Sequence, residues 1–119
     1  MQDLLQELTE KRKMLDDCID SKKKLGRKLA RAEFDYKVAR SKMIAHLNIV
    51  GLETEEGNMK PLAITTCEGM SQGIEPVSSL RLERDMAKFD YDVLQEKIWQ
   101  SKIEINIIQS QMEAERKGL

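Results

Sequence analysis

The chain has 119 residues, 40% hydrophobic, 4% aromatic and 34% charged, with 20 Lys/Arg against 21 Asp/Glu. At that length it makes one domain at most, and so much charge with so few aromatics suits long amphipathic helices better than a globular core. No apolar run approaches the roughly 20 residues of a membrane span, and Asp3, Glu7 and Glu10 interrupt the first apolar residues, unlike a signal peptide, so a cytoplasmic protein without membrane contact is expected.

The first arm, about residues 3–50, carries a 3–4 spacing through Leu8, Lys11, Leu15, Cys18, Lys22, Leu25, Leu29, Ala32, Tyr36, Ala39, Met43, His46 and Val50. Such spacing keeps one seam facing a partner helix. Lys11, Lys22 and His46 interrupt it. Gly26 should cost about 1 kcal/mol relative to Ala and marks either a bend or a close helix approach, with Asp20-Ser21 as a cap for a fresh helix start. His46, the one histidine, reads as a polar seam residue rather than a catalytic base. Cys18 and Cys67 match no metal or redox spacing and read as free thiols.

Residues 1–42 hold 12 Lys/Arg against 8 Asp/Glu, while residues 43–119 hold 8 against 13. Arms of opposite charge favour antiparallel pairing. The densest positive run is Lys22, Lys23, Lys24, Arg27, Lys28 and Arg31, with no acid between them. It reads as a solvated helix face or as a site for nucleic acid or another polyanion.

The connection, about residues 51–76, is too long to be mere linkage. Gly51, Gly57, Pro61, Gly69, Gly73 and Pro76 punctuate it. Leu62-Ala63-Ile64-Thr65 reads as a short extended segment. Thr65 with Glu68 fits a capping box, and Gly73 a helix C-cap. Pro76 suits the first turn of the second arm, with Ser78 or Ser79 as alternative caps.

The second arm, about residues 77–116, has two apolar stripes. One runs Leu80, Arg84, Ala87, Tyr91, Leu94, Ile98, Ser101, Ile105, Ile108 and Met112; the other, about 140° round the helix, collects Leu82, Met86, Phe89, Val93, Ile103 and Ile107. Two faces require two partners, and a lone hairpin supplies one. An obligate homo-oligomer, a dimer or larger forming a multi-helix bundle, is expected.

Residues 32–42 and 87–97 repeat one phrase, Ala-x-Phe-Asp-Tyr-x-Val-x-x-x-Lys. A hairpin folded near residue 64 would bring Tyr36 and Tyr91 to about the same height, as paired aromatics. The fold class predicted is therefore all-α: an antiparallel, coiled-coil-like two-helix hairpin with a partly structured tip.

Arg84 sits on the inward stripe, and burying a guanidinium requires an anion. It reads as an interhelical salt bridge to Glu33 or Asp35 across a subunit, or as an anion pocket of Thr65, Thr66, Arg81 and Arg84, with Asp85 and Tyr91 beside it. No Gly-rich phosphate loop, dinucleotide fingerprint or nucleophile elbow is present, and no ligand set converges on a metal. The expectation is no enzyme, no cofactor and no metal.

From Ile64-Thr65 through Gly73, then Leu80-Arg81-Leu82-Glu83-Arg84-Asp85, Ala87, Tyr91, Glu96 and the Ile-rich tail, the chain resembles short helical proteins encoded by phages and prophages of Gram-positive bacteria. The resemblance spans residues 62–116, about half the chain. The first arm matches only as a heptad helix, and Gly51–Lys60 looks like an extra insertion. What it implies is origin and fold more than mechanism: small nonstructural proteins of this sort act in host takeover, counter-defence or phage recombination. The expected function is a phage-encoded binding protein of the host cytoplasm that blocks or sequesters a host factor, either a protein or an anionic nucleotide signal. The alternatives are a nucleic-acid accessory factor in recombination or replication, and a structural or assembly scaffold.

Overall fold

The computed structural model describes residues 2–118, which are mostly helical. In chain order come α1 (Gln2–Ile49), the two-residue strands β1 (Leu52–Glu53) and β2 (Met59–Lys60), α2 (Ile64–Ser71) and α3 (Val77–Arg116). The chain divides into two compact units: residues up to Arg27 with those from Phe89 onward, and residues 28–88. Both long helices run through both units.

In the first unit, α1 and α3 pair antiparallel. Lys11 meets Glu104 at 2.8 Å, while Lys22 sits over the Tyr91 ring, 5.7 Å from its centre. Leu8, Ile105 and Ile108 form a buried cluster, with Leu4, Leu15 and Met112 packed against it. At roughly 1.5–3 kcal/mol per fully buried large side chain, this cluster anchors the pair of helices. The two lysines that break the seam remain on it by covering apolar surface with their stems while the ammonium groups find Glu104 and Tyr91. Glu104, first by hydrogen bond and then by charge, raises the Lys11 pKa above its ordinary value.

Gly26 does not end α1, which is helical from Gln2 to Ile49 with no fresh start at Asp20-Ser21. A methyl group at Gly26 would meet the Tyr91 ring at 3.5 Å, an ordinary contact. Gly26→Ala should therefore stabilise the protein by about 1 kcal/mol, the helix-propensity difference. A higher midpoint in urea unfolding, at unchanged slope, would register it.

The second unit holds the connection, which is structured along much of its length. After α1, Gly51 turns the chain at φ +85°, where a side chain would collide with the Lys60 carbonyl, so only glycine fits. β1 and β2 then pair antiparallel, Leu52 with Lys60 and Glu53 with Met59. Thr54 closes the loop: its amide donates to the Asn58 carbonyl at 2.6 Å, and its carbonyl accepts from Gly57 at 2.9 Å. Gly57 takes the left-handed conformation at φ +84°, as hairpin loops of this length require. The segment Gly51–Lys60 that reads as an insertion is thus a small hairpin.

Beyond it the chain folds back along α1. The Leu62 amide donates to the Leu47 carbonyl at 3.0 Å, and Asn48 Nδ2 donates to the Leu62 carbonyl at 2.9 Å. The Tyr36 hydroxyl donates to Gln72 Oε1 at 2.6 Å. Leu47, Cys67, Ser71 and Val77 are the most completely buried residues, one from α1, two from α2 and one from the start of α3. The connection is a third helical layer on the end of α1.

That layer explains the differences from expectation. Residues 62–72 occupy the last turns of α1, so Tyr36 lies across from Arg84, whose guanidinium is 4.3 Å from its ring centre, seven residues from the Tyr91 that equal arms would require. The seam also shifts at its end: His46 and Val50 are exposed, and Leu47 takes the inward place. The α2 N-cap is Ala63, without a side-chain cap, so Thr65 and Glu68 make no capping box and the extended stretch stops at Ala63. α2 ends at Ser71 with Gln72 as its cap, not Gly73. Ser78 and Ser79 lie inside α3 and donate instead to the Glu75 carboxylate, at 2.6 and 2.5 Å. Those bonds, Ser78 first, hold the Glu75 pKa below the usual carboxylate range, and its charge suits a helix N-terminus.

Candidate functional site

Three surfaces carry the residues the sequence singles out. The first is the Arg84 cluster in the second unit. Arg84 Nε and Nη2 both donate to Asp85 Oδ1, at 3.0 and 2.8 Å. Within one chain the acid that meets Arg84 is the next residue on α3, Asp85. Asp35 has its own neighbour, Arg31, at 3.9 Å one turn back. The hydrogen bond to Asp85 and the charge of that carboxylate hold the Arg84 pKa above its ordinary value.

The guanidinium is thus half-buried between a carboxylate and an aromatic face, a stacked arrangement that Arg makes and Lys does not. Tyr36, gripped by Gln72 at its hydroxyl and Arg84 on its ring, ties α1, the α2 cap and α3 together within this unit. Thr65 and Thr66 are exposed on the first turn of α2, and Arg81 is exposed on α3. Tyr91 belongs to the other unit, under Lys22 and against Gly26. Sequence reasoning missed Gln72, which has no motif, and Arg40, whose buried Nε has no hydrogen-bond partner among the described residues.

Arg84→Ala would remove the ring contact while leaving Asp85 half-exposed and able to hydrate. The expected loss is about 1–2 kcal/mol of stability, the scale of a cation–π contact plus an incompletely buried ion pair. Thermal melts with and without a panel of linear and cyclic nucleotides measure that loss and the nucleotide reading together. A nucleotide that raises the wild-type midpoint by mass action, but not that of the variant, would assign Arg84 to a ligand.

The second surface is basic. Lys23, Lys24 and Arg27 are exposed on α1, and helical spacing places them opposite the seam residues Cys18, Leu25 and Leu29. Lys22 alone of this cluster turns inward, toward Tyr91. Further along α1, in the second unit, Lys28 and Arg31 are exposed and Phe34 stands out in solvent.

The third surface is the outer stripe of α3. Every residue of the inner stripe, from Leu80 to Met112, is buried or half-buried. Every large apolar residue of the other stripe is exposed: Leu82, Met86, Phe89, Val93, Ile103 and Ile107. Phe89 and the nearby Trp99 are each 68% exposed. The repeated phrase explains the arrangement on both helices, since Ala and Tyr four residues apart face inward while Phe, two residues before Tyr, faces out. Phe34 is exposed for the same reason as Phe89.

Cys18 and Cys67 are buried free thiols. Among the described residues no group of three or more His, Cys, Asp or Glu is placed to hold a metal, and no helix is long and apolar enough to cross a membrane. The chain matches no protein-family model, no curated protein and no solved structure.

Proposed function

We propose that the chain is a non-enzymatic, phage-encoded binding protein of the host cytoplasm, which assembles through the outer face of α3 into a multi-helix bundle and blocks or sequesters a host factor. The observation that supports it most is the row of exposed Phe89, Val93, Ile103 and Ile107 on a helix whose other face is already packed. Rows of large apolar residues on one helix face are costly in water and mark contact surfaces. The host-takeover or counter-defence role comes from the resemblance of residues 62–116. Sedimentation equilibrium on the full chain tests the assembly part: a dimer or larger species is expected at micromolar concentration. A monomer at that concentration would count against it.

The exposed Lys23, Lys24, Arg27 and Lys28 favour a second reading, a nucleic-acid accessory factor. Each phosphate they neutralise would release counterions, so affinity for single-stranded DNA should fall steeply with salt. Replacing these four residues by Gln should flatten the plot of log affinity against log salt by roughly 3 in slope, as fluorescence anisotropy would measure. Absence of binding at low salt removes this reading.

A further inference from the structure

We infer that the partner on the outer face of α3 is a second copy of this chain, with the two α3 helices antiparallel about a twofold axis near residue 98. The inference rests on the assembly reading above and adds its geometry. Between residues 89 and 107 the outer stripe is its own mirror in sequence: Val93 and Ile103, Phe89 and Ile107, and the polar Glu96 and Gln100 all lie symmetrically about residue 98. In a heptad frame one member of each couple is an a position and the other a d position, the pairing that antiparallel coiled coils make. An isologous contact requires this self-complementarity.

Two further features agree with that axis. Ile103, Asn106, Ile107 and Ser110 line a depression on this face, with the spacing of the four-residue hole that accepts a knob. The residue that the axis carries to its centre is the partner copy's counterpart of Phe89, a side chain otherwise left in water. Charge then selects direction. Parallel helices would set Glu96 against its own copy, two like charges at the middle of an apolar stripe. Antiparallel helices set each Glu96 against a Gln100 amide, which can donate to it. The axis also brings the two exposed Trp99 side chains close to each other across the dyad.

Disulfide trapping on the full chain tests the arrangement, using Val93→Cys and Ile103→Cys as separate variants; both sites are exposed, and the native thiols are buried. After mild oxidation, the mixture should give a covalent dimer joining one variant to the other, while each variant alone should give at least tenfold less. Efficient crosslinking of either variant by itself would overturn the antiparallel register and leave the assembly reading standing. A wild-type chain that sediments as a monomer, with no trapped dimer from the mixture, would overturn both.

Discussion

Leu47→Ala should lower the stability of the protein by about 3 kcal/mol, the middle of the range for emptying a buried leucine site. Leu47 is 1% exposed, and its carbonyl accepts the Leu62 amide, the first contact of the segment that folds back on α1. Its side chain is therefore the test of whether the connection is a docked layer or a hanging tip. Ile49→Ala, two residues on, is the control: Ile49 is 73% exposed, and surface truncations usually stay within about 0.5 kcal/mol. Urea unfolding of both variants reads the difference. Equal, small effects would mean that α2 does not depend on α1 for its place, and the Tyr36–Gln72 bond would lose its structural role. A large loss confined to Leu47→Ala would show that Thr65 and Thr66 stand on a rigid support.

The parts of this fold that follow one helical period were legible in the sequence. The inner stripe of α3 reads directly because Ala87, Ile98, Ser101, Ile105 and Ile108 recur with helical spacing, and these are the residues buried there. The α1 seam reads equally well as far as Met43. It fails at His46 because the last turns of α1 face a different partner: a helix packed on a second long helix and one packed on a short returning segment bury different sides. Nothing in residues 43–50 announces that change, since the cause lies at Leu62 and Gln72. The same docking shifts Tyr36 to Arg84 and defeats the inference from equal arms. The repeated phrase was real, but it encodes two inward Tyr and two outward Phe rather than a Tyr–Tyr pair. Gly57 behind Glu55-Glu56 was a usable hairpin signal, and short strands of two residues leave no alternation to support it. The Asp85 contact within the chain went unread for a simpler reason, because a carboxylate on the adjacent residue can reach the guanidinium without any interhelical approach.

Phe89→Glu combined with Val93→Glu should turn the assembled protein into a monomer without unfolding it. In an antiparallel dimer the double change removes two large apolar contacts from each chain, four in all. At roughly 1.5 kcal/mol each, the low end for covering such side chains, the interface loses about 6 kcal/mol, which raises the dissociation constant by more than a factor of about 10,000. Four carboxylates placed against the facing Ile103 and Ile107 add a desolvation cost in the same direction. The inner stripe is untouched: positions 89 and 93 face away from Ile98, Ile105 and Ile108, and within the first unit the cluster around Leu8 does not use them. Far-UV circular dichroism should therefore stay close to wild type while sedimentation velocity reports the monomer. Loss of both assembly and helicity would mean that the helix pair has no stability without its second copy, and would place the folding energy of this chain largely in the contact between copies. Retention of the dimer would move the contact off this face altogether, leaving Phe89, Val93 and Trp99 for a partner of different sequence.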